Sequence, residues 1–220
     1  MIMCGRFTLS HTIMEVLQQF EAQSELSELE ASYNIAPTQP VLAIRSGASG
    51  REAGILRWGL IPFWMKTLPK NAPMINARAE TVKEKPAFRA AYKQRRCLIP
   101  ADGYYEWTAT ETGKQPYYIQ RQDKQIMAFA GLWELWTDPK NGQSITSCAL
   151  LTTEANADTC QIHDRMPVFI EPQHYEEWLS NDDPSVLLQA SQSGKLVTYA
   201  VDRFVNRPAN NSPKCIDPIE

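Results

Sequence analysis

Apolar residues along this chain fall mostly into short alternating runs, with helical spacing only at the margins. Residues 4–10 (CGRFTLS) place Phe7 and Leu9 on one face of a short strand and Arg6 and Thr8 on the other. Residues 11–22 switch to helical spacing, with Ile13, Val16, Leu17 and Phe20 on a common side. An acidic polar stretch follows. Then comes Tyr33-Asn34-Ile35-Ala36-Pro37-Thr38, where Pro37 keeps Ala36 extended. Strands are expected at 41–46 and 53–60, joined by a Gly/Ser turn, and a proline-rich loop at 58–70. A short helix is expected at 86–94 and a buried strand at 97–99. Asp102-Gly103 signals a tight turn, and a strand resumes through Tyr104, Tyr105 and Trp107. Further strands are expected at 116–122, 126–136, 147–154 and 196–201, with the second of these central. Helices are expected at 172–180 and 183–191, opened by Pro172 and Pro184.

Many short strands with marginal helices predict an α+β fold, built on a curved and largely antiparallel sheet. No repeat or linker divides the 220 residues, so one domain is expected, with residues 208–220 as a loop-like tail. Composition changes this picture little: 43% hydrophobic and 21% charged residues are ordinary for a soluble protein. No apolar run approaches the roughly 20 residues of a membrane span. With no signal-like N-terminus either, a cytoplasmic protein is expected. The five cysteines are scattered without a C-x-x-C pair, which predicts neither a disulfide framework nor a zinc site. A net charge of −3 argues against duplex binding through bulk basicity, but leaves room for a local groove for single-stranded nucleic acid. No glycine-rich phosphate loop appears, and no cofactor or metal is expected.

Five places carry candidate chemistry. Cys4 stands near the chain start. With its α-amine free it would carry an amine and a thiol on adjacent carbons, able to condense with an aldehyde and close a thiazolidine ring. The alternative is a small buried hydrophobe opening a strand. Glu106 is a lone carboxylate among Tyr104, Tyr105 and Trp107, a setting that raises a carboxyl pKa and suits proton transfer near neutrality. His163, beside Asp164 and Arg165, is the natural proton carrier, or else a structural histidine. Phe63 and Trp64, near Lys66 and Lys70, form either a platform for unstacked bases or a cap on the core. Asn76, Arg78 and Glu80 alternate along 74–83 and would share one face of a strand, which could equally be solvated.

Taken together, six segments resemble the SOS response-associated peptidase family, also called abasic-site processing proteins. They are CGRF at 4–7, YNIAP at 33–37, RWGLIP at 57–62, INARAET at 75–81, RCLIPADGYYEW at 96–107 and IHDRMP at 162–167. The resemblance runs from residue 4 to about 207. It implies a β pseudo-barrel with peripheral helices that recognises abasic sites in single-stranded DNA and crosslinks to them through its N-terminal cysteine. By motif match, Cys4 bonds the sugar aldehyde, Asn76 orients the reacting groups and Glu106 is the acid/base. His163 assists ring opening and Schiff-base protonation. Arg6 and Arg78 hold phosphates, and Phe63 and Trp64 wedge against bases. The expected partner is abasic single-stranded DNA, engaged by a monomer that joins the nucleoid when bound to it. Weak lyase activity is an expected side reaction.

One departure stands out. In that family the reactive cysteine follows the initiator methionine directly, whereas Met1-Ile2-Met3 precede Cys4 here. Either translation starts at Met3, which is the favoured reading, or the protein cleaves its own Met3–Cys4 bond. Two alternatives to abasic-site capture remain open at this point. One is a cysteine (auto)peptidase using Cys4, Glu106 and His163. The other is a non-catalytic module for single-stranded DNA.

Overall fold

The structure is a computed structural model and describes residues 4–69 and 73–219. Met1–Met3 and Lys70 therefore lie outside the described residues. The chain begins with β1 (Phe7–Leu9), α1 (Ile13–Phe20), β2 (Ala22–Gln23) and β3 (Ser32–Ile35). A hairpin of β4 (Pro40–Gly47) and β5 (Gly50–Trp58) follows, then β6 (Asn76–Arg78) and α2 (Arg89–Gln94). Next come β7 (Arg96–Ala101), β8 (Gly103–Thr110), β9 (Gly113–Arg121), β10 (Met127–Thr137) and β11 (Ser144–Glu154). The last elements are β12 (Arg165–Pro167), α3 (Tyr175–Ser180) and β13 (Leu196–Ala200).

The strands form two sheets, one in the order β13-β9-β8-β1-β3 and the other β12-β11-β10-β7-β4-β5-β2, with β6 alongside β11. β11 also pairs in parallel with β5, at Ser147 opposite Arg57 and Cys148 opposite Trp58. That pairing closes β11, β10, β7, β4 and β5 into a ring, which removes two sheet edges. The architecture is the expected α+β pseudo-barrel, largely antiparallel and with helices at its margins. No helix among the described residues is long and apolar enough to cross a membrane.

The five-stranded sheet is covered on both faces, and the alternation of β8 shows how. Tyr104 joins the main core shared with the ring, while Tyr105 joins a second cluster with Tyr118, Val201, Val205 and Cys215. Glu106 follows the parity of Tyr104 and so faces the side of Phe7 and Trp58 rather than solvent. Phe7 packs edge-on against Trp58 at 5.0 Å and Phe129 at 5.8 Å, joining the two sheets.

Several local expectations are corrected. Asp102-Gly103 does not close a hairpin, because β7 and β8 belong to different sheets. It is a corner instead, held by the Asp102 carboxylate, which accepts the Ser10 N–H and hydroxyl and pairs with His11 Nδ1 at 2.6 Å. Gly103 is required there because a Cβ would lie 2.3 Å from the Tyr118 ring. Residues 183–191 contain only the 3₁₀ turn Ser185–Leu187. Val186 is 64% exposed and only the adjacent Leu187 and Leu188 pack against the core, which anchors one turn rather than the length of a helix. The helix expected from residue 86 begins at Arg89. The strand at 74–83 ends at Arg78 and passes into the 3₁₀ turn Ala79–Thr81, so Glu80 leaves the strand face. The tail is loop-like but packed: Pro213–Ile216 forms a 3₁₀ turn that buries Cys215.

Asn34 fastens that tail. Its buried Nδ2 reaches the carbonyls of Val205 (3.1 Å), Arg207 (3.0 Å) and Asn210 (2.8 Å), while its Oδ1 accepts Arg6 Nη1 at 2.6 Å. Asn34→Ala should cost about 2–4 kcal/mol by leaving these groups unpaired in a buried site. Thermal unfolding should fall by roughly 5–10 °C. Limited proteolysis should then cut first within residues 203–219.

Candidate active site

Antiparallel pairing of β1 with β8 sets Phe7 opposite Tyr104 and Thr8 opposite Gly103. Continuing that register backwards brings Gly5 and Cys4 alongside Glu106 and Trp107. The Cys4 backbone nitrogen donates to Glu106 Oε1 at 2.6 Å, and both residues are buried. Cys4 takes a left-handed backbone conformation, φ 40°, which a non-glycine residue rarely adopts. Burial pushes the Glu106 carboxyl up to about 8, against the hydrogen bond from Cys4, with the Asp164 charge adding to the rise. Burial also raises the Cys4 thiol well above its usual range, helped by Glu106. The site thus holds protons on its acids rather than presenting a thiolate.

His163 lies between β11 and β12. Its loop is tied to β8 by the Thr108 hydroxyl, which donates to the Ile162 carbonyl at 3.2 Å. The imidazole is buried, with Asp164 Oδ1 2.9 Å from Nδ1. Asn76 opens β6 and is half-buried, opposite Leu150 of β11. The residue before it, Ile75, accepts the Trp58 indole N–H at 3.0 Å. Since Trp58 also packs on Phe7, Trp58 links the β6 entry to the strand that Cys4 leads into.

The outer residues are distributed as follows. Arg78 is exposed at the end of β6. Glu80 is held below the usual carboxylate range by Arg165, which grips it at 2.5 and 2.9 Å, and to a lesser extent by the Arg78 charge. Arg6 is half-buried. Besides Asn34, it donates to the Val205 carbonyl at 2.9 Å, and its guanidinium lies 5.9 Å from the Trp107 ring centre. Phe63 and Trp64 are 56% and 52% exposed, so they do not cap the core. Their loop is pinned at both ends: the Ile61 N–H donates to the Ser147 hydroxyl and the Met65 carbonyl accepts the Trp136 indole. The rings therefore stand out from an anchored backbone.

A family model described as SOS response associated peptidase (SRAP) matches residues 3–208. The chain belongs to the SRAP family. It is 43% identical over 223 residues to abasic site processing protein YoqW of Bacillus subtilis strain 168, covering 98% of this chain and 99% of that protein. Abasic site processing protein HMCES of Gallus gallus is 29% identical over 225 residues, 86% of this chain and 66% of that protein. A crystal structure of a protein from Bacteroides thetaiotaomicron superposes with a TM-score of 0.88 at 27% identity, covering 99% of this chain and 100% of that one.

Within this SRAP fold, two contributors to the site escaped the sequence. Asp164 reads there only as part of a polar knot, yet its charge reaches Glu106 across a separation of 58 positions (164 − 106). Arg165 reads the same way, but it is committed to Glu80 and to the Thr152 carbonyl. Nothing in periodicity signals either contact, because both join the start of β12 to segments distant in sequence, β8 for Asp164 and the turn after β6 for Arg165. Among the described residues, no group of three or more His, Cys, Asp or Glu side chains is placed to hold a metal ion.

Proposed function

We propose that this chain processes abasic sites in single-stranded DNA by capturing them covalently through Cys4, once residues 1–3 are absent. The observation that supports this most is the 2.6 Å contact between the Cys4 nitrogen and a carboxyl with a pKa near 8. It is the nitrogen that the acid/base faces, as imine chemistry requires. With Cys4 as N-terminus, the ammonium charge beside Glu106 draws its carboxyl down from the value it has against an amide nitrogen. The ionised carboxylate takes a proton from the ammonium, and the neutral amine adds to the C1′ aldehyde. The protonated carboxyl then returns the proton to the carbinolamine hydroxyl, which leaves as water. The thiol sulfur adds to the resulting iminium carbon and loses its proton. The net change is amine plus thiol plus aldehyde giving thiazolidine plus one water. A thiol kept protonated by burial suits this order, since it is needed last. An ordinary cysteine peptidase needs the opposite, a thiolate stabilised in advance.

Arg6 and Arg78 are proposed to hold flanking phosphates, with Phe63 and Trp64 as the base platform and Asn76 orienting the sugar. Both aromatic rings are largely outside the core, so Trp64→Ala should leave thermal stability nearly unchanged. It should weaken non-covalent binding to a single-stranded oligonucleotide by about 1–3 kcal/mol, the usual worth of one stacked base. Fluorescence anisotropy checks both halves when paired with a melting curve.

A second reading is favoured by one observation, the left-handed Cys4 backbone. With residues 1–3 attached, the thiol could attack the Met3 carbonyl carbon to form a thioester. Glu106 would protonate the departing Cys4 nitrogen, and water would hydrolyse the thioester. Strain at Cys4 would be relieved on cleavage. This reading explains how a free amine could arise, and is compatible with capture afterwards.

The test is a denaturing gel of the chain beginning at Cys4 with an oligonucleotide carrying one abasic site. A slow band that survives denaturant is expected. A complex seen only under native conditions would reduce the protein to a binding module. Release of residues 1–3 from the longer chain without DNA would establish the second reading.

A further inference from the structure

His163 has two partners at one ring nitrogen and none at the other. The Arg165 backbone N–H donates to Nδ1 at 3.0 Å, and Asp164 Oδ1 lies 2.9 Å from the same atom. Nε2 is buried and meets no hydrogen-bond partner among the described residues. The imidazole is only 4% exposed, so its packing holds the ring in this orientation. A backbone N–H can only donate. A neutral imidazole has one N–H and one acceptor nitrogen. The neutral ring therefore accepts at Nδ1 and carries its proton on Nε2. Asp164 cannot bond Nδ1 in that state, since both atoms are acceptors. It can when the ring is charged, because Nδ1 then bears an N–H. The Asp164 side chain is 85% exposed and the imidazole it touches only 4% exposed, so this carboxylate spans from solvent to a buried ring.

We infer that Asp164 is a positioning residue that relays protons between solvent and His163, with Nε2 as the atom that works on the sugar. The inference rests on the capture chemistry proposed above. A proton passes from solvent through the Asp164 carboxyl to Nδ1 and makes the imidazolium. The Nε2 proton then goes to the sugar ring oxygen as the C1′–O4′ bond breaks, while the anomeric hydroxyl releases its proton to water and becomes the aldehyde. The ring is left neutral, with N–H at Nδ1 held by Asp164 and a lone pair at Nε2. The thiol proton returns to Nε2 when the sulfur–C1′ bond forms. Nδ1 then gives its proton back through Asp164, and Arg165 N–H recaptures it. No net proton is consumed, as thiazolidine formation requires.

Two measurements on the chain beginning at Cys4 test this. In protein labelled with ¹⁵N-histidine, the neutral His163 ring should show a protonated Nε2 and an unprotonated Nδ1. A protonated Nδ1 in the resting neutral ring would overturn the assignment. In single-turnover capture at saturating abasic oligonucleotide, Asp164→Asn should be about ten-fold slower and Asp164→Glu should recover most of the rate. Removing a negative charge favours phosphate binding, so weaker association cannot account for that loss. If wild type forms adduct and Asp164→Asn matches it, the relay is wrong and capture stands. If wild type forms no adduct, the capture reading falls and the relay falls with it.

Discussion

Cys4→Ala, prepared with residue 4 as its N-terminus, is expected to form no adduct that survives denaturant, a loss of the whole signal. The same variant should still give a product trapped by borohydride. It keeps the α-amine beside Glu106 and loses only the thiol, so the reaction stops at the reversible imine. Non-covalent affinity should hold within about two-fold, because the proposed phosphate and base contacts lie on other residues. Stability should fall by no more than about 1 kcal/mol, since one sulfur is removed from a small buried side chain. Gel analysis with and without borohydride, alongside anisotropy, separates these outcomes. Loss of the borohydride product would show that the amine is not the first nucleophile. A chain that retains residues 1–3 should give neither product, because its Cys4 nitrogen is an amide.

Glu106→Gln carries the second large effect, with opposite signs for activity and stability. Capture should slow by about 100-fold or more, since a glutamine cannot take the ammonium proton or return it at dehydration. Stability should rise with pH relative to wild type. The sign follows from the raised pKa: the folded carboxyl titrates near 8 against an ordinary value of 4.5, so between these limits the folded state binds more protons than the unfolded. Wild type therefore loses stability as pH climbs from about 4.5 to about 8, and below that window the group contributes no penalty. Glutamine keeps an acceptor for the Cys4 nitrogen without this cost. In the 220-residue chain, where the Cys4 nitrogen is an uncharged amide, the variant should match wild type near pH 4.5 and exceed it by roughly 3 kcal/mol at pH 7, measured by urea unfolding across the window. A gap that stays constant with pH would mean that the fold does not raise the Glu106 carboxyl.

How far these features could be read from the sequence depends on the range of the interaction behind them. Alternation exposed the strands and set Glu106 among aromatic residues, from which its raised pKa follows directly. The curved antiparallel sheet came from the density of short strands, and the site motifs came as a set through family resemblance. Features made by two distant segments stayed hidden. Asp102-Gly103 has the composition of a hairpin turn, but Ser10 and His11 make it a corner between sheets. Arg6 reads as a free cation on a strand face. In the fold, three of its five N–H donors are taken up by Asn34 and the carbonyls of Val205 and Asn206. The 183–191 segment has a helix-opening proline, but only Leu187 and Leu188 pack against the core and Val186 is exposed, so a single 3₁₀ turn suffices to bury them.

The central claim is that the Cys4 nitrogen and sulfur together bond the C1′ carbon of an abasic site. Intact mass of the purified adduct tests it most directly, followed by tandem mass analysis of the peptide that carries the nucleotide remnant. The account predicts a mass equal to the chain from Cys4 plus the oligonucleotide less one water. The remnant should sit on residue 4, and the mass should not change on treatment with borohydride. An adduct still carrying residues 1–3, or attached at a lysine, would contradict it.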